Sequence, residues 1–326
     1  MAASLGYASG WARRASRRGL RVFYYHGVVE RRTDAVLERN FHTVAELRDQ
    51  VAFLKRQRVL SLDELLALLD SGKPLPEDAA LVTFDDGYAS SHLAAEILGK
   101  QHVPWVLFVT TACIETGAPP WTVELSVLLL HGEVPRVELD DGVWPLTTRA
   151  ERERAFQCLR PELKGLPAGE LQTRLATLRA QFPPGETQRL VEAFPSVRML
   201  TWEGARDLCA AGVEVGSHGV DHVIHHGRQP PDVRRRELRE SKRAIEERLK
   251  RRCRAFAFPN GDHIPSSARE AEDAGYEIAF TTQPMAVPAR SDRHGLPRLV
   301  AAHALRSLAH SFYWEPRQIP SAHDGA

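Results

Sequence analysis

Two short segments hold the residue types that hydrolytic chemistry needs. Leu81-Val-Thr-Phe-Asp-Asp-Gly-Tyr88 ends an apolar, β-branched run in adjacent carboxylates, Asp85 and Asp86. Val215-Gly-Ser-His-Gly-Val-Asp-His222 carries His218 and, four positions on, His222. A carboxylate pair with an imidazole pair is what metal-assisted hydrolysis uses. Two nitrogens and one oxygen can hold a divalent cation with coordination positions left open, and a second carboxylate can take a proton from water. The competing reading is local: Asp85 begins a turn and the histidines cap a helix.

The surrounding pattern says how such groups would be carried. Leu81 to Phe84 reads as a buried strand that delivers both acids at its end, and Val213 to Ser217 as a second strand that delivers His218. If the chain turned helical after Ser217, His218 and His222 would face one way. Leu20 to Tyr25 and Val103 to Val109 are strand-like, whereas Val44, Leu47, Val51 and Leu54 recur at helical spacing. Ser61 with Glu64 predicts a capping box at the head of Leu62 to Leu69. Helices 205–211 and 270–274 stop at Gly212 and Gly275, each before a strand. Strands alternating with helices predict a parallel sheet, and this many units predict closure into a barrel. His26, Asp85, Asp86, His218 and Asn260 all follow strands, so in a parallel barrel they converge on one face.

Length and composition set the frame. The 326 residues, 43% hydrophobic, can bury a large core. The 43 basic residues nearly balance 42 acidic ones, which gives no general pull toward nucleic acid. No apolar run approaches the ~18 residues of a membrane span, so the chain is expected to be soluble. Four widely spaced cysteines (Cys113, Cys158, Cys209, Cys253) predict reduced, mostly buried thiols. Residues 1–19 form a basic segment in which Arg13, Arg14, Arg17 and Arg18, with Arg21 just beyond, meet no acid. It lacks the apolar core of a secretory signal. This predicts a cytoplasmic protein, with peripheral contact between the N-terminal arginines and an anionic membrane face as the sharper reading. Residues 20–326 read as a single domain. Prolines punctuate an insertion at about 113–200 with helical signals and a hairpin around Asp140-Asp-Gly142, which we place over the catalytic face.

Thr83-Phe-Asp-Asp-Gly-Tyr88, Gly216-Ser-His-Gly-Val-Asp-His222 and Phe256-Ala-Phe-Pro-Asn-Gly261 resemble the first three motifs of the polysaccharide deacetylases, the NodB-homology or carbohydrate esterase family 4 hydrolases. Tyr25-His-Gly-Val28 resembles the branch that acts on exopolysaccharides or lipid-linked glycans. The resemblance implies a distorted (β/α) barrel with a mainly helical insertion, and hydrolysis of N-acetyl groups from an amino-sugar glycan or lipid-linked sugar with release of acetate. It implies that Asp86, His218 and His222 bind the metal and that Asp85 is the general base. The N/O donor set suits Zn2+ and leaves Co2+, Fe2+, Mn2+ or Ni2+ open. Tyr88, Pro259, Asn260 and Gly261 are the expected substrate contacts, with Trp121 of the insertion as a further glycan contact.

Two positions depart from the family pattern. The arginine expected two residues before the third-motif proline is Ala257 here, so Arg298 of Leu296-Pro-Arg-Leu299, or else Arg254, is expected to orient the catalytic aspartate. The general acid is expected from a late Leu-x-x-His motif; Val300-Ala-Ala-His303 is the nearest match, and His26 competes with His303. His225 and His226 read as exposed loop histidines. The arginines and glutamates of 234–252 read as a solvated helix face. Hydrolysis of a non-sugar amide or cyclic imide, and a non-catalytic glycan-binding barrel, are the alternatives from other classes.

Overall fold

The structure is a computed structural model and describes residues 19–140, 142–288 and 291–313. Its strands are β1 (Arg21–Tyr25), β2 (Val28–Val29), β3 (His42–Thr43), β4 (Arg58–Val59), β5 (Ala79–Phe84), β6 (Val106–Val109), β7 (Arg136–Leu139), β8 (Gly142–Pro145), β9 (Glu214–Ser217), β10 (Ala255–Ala257), β11 (Ile278–Phe280) and β12 (Leu299–Val300). The main sheet runs β11-β10-β9-β6-β5-β1-β12, with β4 on the lower part of β5, and its pairings are parallel. The residues before β12 return along β11: Thr281 N–H donates to Leu296 O (2.8 Å) and Leu296 N–H to Ala279 O (2.9 Å), while Leu299 pairs with Phe23. The last strand is thereby joined to the first, and the sheet curls into the distorted (β/α) barrel.

All six residues of β5 are buried, as a strand with a helix layer outside and barrel core inside requires. Side chains alternate accordingly. Val22, Leu81, Val106, Phe108, Ala255, Ala257, Ile278 and Phe280 fill the interior, whereas Phe23, Val82, Phe84, Leu107, Val109 and Phe256 pack under the helices. Helix Leu62–Asp70 begins at the predicted Ser61/Glu64 capping box. Gly212 and Gly275 close their helices in the left-handed region, at φ +89° and +83°. Cys113, Cys209 and Cys253 are buried and Cys158 is exposed, all as free thiols.

Residues 121–197 have a core of their own. Helices Trp121–His131, Arg149–Lys164, Ala168–Arg179 and Glu186–Ala193 pack around Leu125, Leu128, Leu129, Phe156 and Leu159, and β7 pairs antiparallel with β8 as the expected hairpin. Cys113 and Ile114 stay outside that core, and Ile114 packs on the barrel side. The basic segment lies almost entirely outside the described residues. Arg21 is described and corrects its grouping with the others: it is buried, and donates to Gly19 O (2.7 Å) and Ser311 O (3.3 Å), so it is closed to a membrane surface. No helix among the described residues is long and apolar enough to cross a membrane.

Candidate active site

At the carboxyl end of β5 the ladder continues one step, with Asp85 N–H donating to Tyr25 O at 2.9 Å. The chain then turns sharply, Asp86 and Gly87 taking φ of +75° and +87°. A non-glycine residue held there marks a strained, over-determined position. Because strand residues alternate, Leu81, Thr83 and Asp85 share the inward side, and Asp85 enters the barrel mouth.

Arg298 meets it there. The guanidinium is fully buried and donates from Nη1 to Asp85 Oδ1 (2.7 Å) and from Nη2 to Oδ2 (2.8 Å), with Nη1 to Thr83 Oγ1 (3.0 Å) and Nε to Thr281 O (3.0 Å) completing its set. It lies over the Tyr24 ring at 4.9 Å. Burial pushes the Asp85 carboxyl up, but the Arg298 charge and then His218 more than offset that, and its pKa sits below the ordinary carboxylate value. Arg254 is elsewhere, paired with Glu214 (3.1 Å) and Asp63 (2.5 Å). With Ala257 at the third-motif position, the guanidinium that reaches Asp85 comes from the segment before β12.

His218 and His222 are brought together by a loop, not by a helix. Gly219 and His222 take φ of +86° and +55°, and four sets of bonds fix the loop. Gly219 N–H donates to Ser217 Oγ (3.1 Å), and Val220 and Asp221 N–H donate to the buried Glu237 carboxylate (2.8 and 3.0 Å). Thr111 and Ala112 N–H donate to the Gly219 and Val220 carbonyls (3.1 and 3.0 Å), and Trp121 Nε1–H to the His222 carbonyl (3.2 Å). His218 Nδ1 faces Ala257 O at 2.7 Å. A carbonyl only accepts, so Nδ1 carries the proton and Nε2 offers its lone pair. Burial lowers the His218 pKa to about 4, which keeps the ring neutral at physiological pH.

Asp86 Oδ1 is 3.5 Å from His218 Nε2 and 3.3 Å from His222 Nε2, and ligand atoms of the three lie within 4.8 Å of one another. Asp86 Oδ1 has no hydrogen-bond partner, nor does His222 Nδ1. A buried anionic oxygen facing a neutral imidazole's lone pair is a poor arrangement alone and a good one around a divalent cation. The trio therefore fits a metal.

Above it lies a cavity of about 350 Å3, lined by Asp85, Asp86, His218 and His222 below and by groups from the insertion above. His26, Tyr88 and Asn260 line it. His303 does not: its Nδ1 faces Arg32 Nη2 (2.7 Å) and its Nε2 the Arg39 carbonyl (2.8 Å), which draws it away from the carboxylates. Pro259 and Gly261 are buried in the turn that presents Asn260 and do not line the cavity; a Cβ on Gly261 would sit 1.8 Å from Thr282 Oγ1. Trp121 is buried too, and with its N–H on the His222 carbonyl it braces a candidate ligand instead of offering a ring to a sugar. His225, expected on the surface, is fully buried against Phe256 and Phe258, and burial lowers its pKa to about 3.

Glu237 is a missed site residue. Its setting among arginines on helix Pro231–Leu249 suggested a solvated face, and only its contact with the histidine loop marks it out. Tyr24, Thr83, Arg39, Arg160 and Lys164 were also missed. For the last two the spacing of four with Phe156 was a usable signal.

The chain is similar to known proteins. Residues 72–279, more than half of the chain, match the family model described as polysaccharide deacetylase. A curated Bacillus subtilis protein that carries the polysaccharide deacetylase name, YxkH, is 24% identical over 116 residues; the match covers 36% of this chain and 41% of that protein's length. The deacetylase PplD of Streptococcus pyogenes, solved in complex with acetate, superposes with a TM-score of 0.60 at 16% identity, over 91% of this chain and 99% of that one. IcaB of Ammonifex degensii gives 0.57 at 18% identity, over 91% and 98%. A de-N-acetylase of Aggregatibacter actinomycetemcomitans gives 0.53 at 17% identity, over 90% and 99%.

Proposed function

Because the chain belongs to the polysaccharide deacetylase family, we propose that it is a metal-dependent hydrolase that removes N-acetyl groups from an amino-sugar-containing glycan or glycan precursor and releases acetate. One observation carries the reading: an Asp86, His218 and His222 cluster with ligand atoms within 4.8 Å lies beside an Asp85 held ionised by Arg298 at 2.7 and 2.8 Å. The names of the Streptococcus and Aggregatibacter structures point the same way.

An acetamide is a poor electrophile. Asp86, His218 and His222 would hold a divalent cation, Zn2+ first and Co2+, Fe2+, Mn2+ or Ni2+ as alternatives, which supplies a Lewis acid for the carbonyl oxygen and lowers the pKa of water. Asp85 takes the proton from the attacking water. Its partner Arg298 keeps it unprotonated and aimed. As the C–N bond breaks, the amine nitrogen needs a proton, and His26, which lines the cavity edge-on to Tyr24 (5.7 Å), is placed to give it. Tyr88 and Asn260 are the substrate contacts.

The test is metal content with acetate release from a panel of N-acetylated sugars, for the parent, Asp85→Asn and His218→Ala. The Asp85 variant is expected to keep its metal and lose roughly 10²–10⁴-fold in rate, and the His218 variant to lose metal and activity together. Bound metal without acetate from any sugar would shift the reading to a non-sugar amide. The same reading includes a cytoplasmic location, a lipid-linked form of substrate and contact of Arg13, Arg14, Arg17 and Arg18 with an anionic membrane. Co-sedimentation with anionic and zwitterionic vesicles tests the contact; equal partition between the two would remove it.

A further inference from the structure

The cavity has three cations at its mouth that the hydrolytic chemistry does not use. Arg160 and Lys164 come from the last turns of helix Arg149–Lys164, and Arg39 from the loop between β2 and β3. Phe156, Arg160 and Lys164 are spaced by four and so share one face of the helix. Both guanidiniums rest on the Phe156 ring, Arg39 at 5.3 Å and Arg160 at 5.5 Å from its centroid. A ring contact uses up no hydrogen-bond donor, so the guanidinium N–H groups remain available to a ligand. Among the described residues neither guanidinium has a carboxylate within ion-pair distance. Lys164 donates to the Asn260 side-chain oxygen.

The two acids on the cavity floor do not neutralise this group, since Asp85 is engaged by Arg298 and Asp86 belongs to the metal cluster. Burial followed by the neighbouring arginines lowers the Lys164 pKa to about 8, with Asp262 and Asp86 pulling the other way; burial and then Arg160 lower that of Arg39. The negative end of the helix dipole accounts for a cation in the last turn. It does not account for Arg39 converging on the same ring from a different segment, or for two guanidiniums held there with no carboxylate in ion-pair distance among the described residues.

We propose that Arg39 and Arg160, gathered over Phe156, together with Lys164 on the same cavity wall, form an anion subsite that takes a phosphate carried by the glycan substrate. A phosphate monoester bears about −1.5 to −2 charge with three acceptor oxygens, and a diphosphate link about one negative charge on each phosphate, so either matches several donors better than a single carboxylate does. The substrate class is then a sugar phosphate or a diphosphate-linked glycan in preference to a neutral polymer. The inference rests on the deacetylase reading and narrows it.

The experiment compares kcat/KM for acetate release by the metal-loaded full chain from N-acetylglucosamine 1-phosphate, its prenyl-diphosphate-linked form, an uncharged chito-oligosaccharide and a uronate-bearing oligosaccharide. The phosphate-bearing substrates are expected to lead the neutral one by about tenfold or more, a lead that shrinks with added salt. In Arg160→Gln with Lys164→Gln the phosphate-to-neutral ratio is expected to fall about tenfold, through KM, and Arg160→Lys with Lys164 retained to restore part of it. Which phosphate substrate leads distinguishes a soluble sugar phosphate from a lipid headgroup. Equal rates on charged and neutral sugars, or preference for the uronate alone, would overturn the proposal. Calorimetric titration of metal-loaded Asp85→Asn with the sugar 1-phosphate reads the subsite without turnover. Binding that weakens in the Arg160 variant, with no acetate from any substrate, would sink the deacetylase reading and keep the subsite; no binding would sink the subsite.

Discussion

A carboxylate buried in a barrel is costly unless a cation meets it with good geometry, and removal of one partner of such a pair costs more than the pair contributes. Arg298→Gln is therefore expected to destabilise the protein by about 3–5 kcal/mol, read by denaturant unfolding. The Asp85 pKa is depressed, so the pair's stabilisation is present above the unfolded carboxylate value of about 3.9 and is lost as pH falls through the depressed folded value. In Arg298→Gln the burial effect on Asp85 stands unopposed by that charge. The acid limb of the kcat/KM profile is then expected to move to higher pH, and an unmoved limb would remove Asp85 as the base. His225 works with the opposite group charge. It is buried neutral with a pKa near 3, so the unfolded chain binds its proton first and stability falls as pH drops below the unfolded imidazole value of about 6.5. His225→Phe is expected to flatten the fall in thermal midpoint between that value and about 3.

The histidine loop depends on a partner outside itself. Glu237 on helix Pro231–Leu249 accepts from two consecutive loop N–H groups, and a Cβ on Gly219 would lie 2.8 Å from Glu237 Oε2, so the carboxylate and the glycine form one close contact. Glu237→Gln is expected to lower metal affinity about 10–100-fold with the three ligands intact, measured by metal titration; unchanged affinity would make the contact purely structural. Among the elements, those with local signals were legible. The Ser61/Glu64 box starts its helix, and the apolar run of β5 is buried throughout. The stretch from His218 to His222 was not, because residues four apart suit a helix as well as a turn, and only bonds to Glu237, Thr111, Ala112 and Trp121 select the turn.

Barrel closure and the insertion together make the site. The barrel brings the strand ends of β1, β5, β9 and β10 to one mouth, and helices of the insertion cover it with Thr122, Arg160 and Lys164. If the Asp86 cluster holds its metal only in the folded chain, metal at about 100 times its dissociation constant should add about 2.7 kcal/mol of stability. Chelation is expected to lower the thermal midpoint of the parent and to leave His218→Ala unmoved; equal responses would place the metal elsewhere.

The sequence carried the alternation of strands with helices, the polar residues that end the strands and the pairing of Asp85 and Asp86 with His218 and His222. Each of these is written in a few consecutive residues, where side-chain periodicity and turn chemistry act. It also narrowed the guanidinium beside Asp85 to two arginines and the general acid to two histidines, but no local pattern could choose. Arg298 is 213 positions from Asp85, and it reaches the carboxylate because the segment before β12 bridges β11 to β1. Arg254, just before the strand next to β9, points instead to Glu214 and Asp63. His303 is turned toward Arg32 and the Arg39 carbonyl, and Trp121 toward the backbone of His222, by neighbours distant in the chain. Such choices belong to the folded molecule, because burial and partnership between remote residues arise only when the sheet closes and the insertion packs over its mouth.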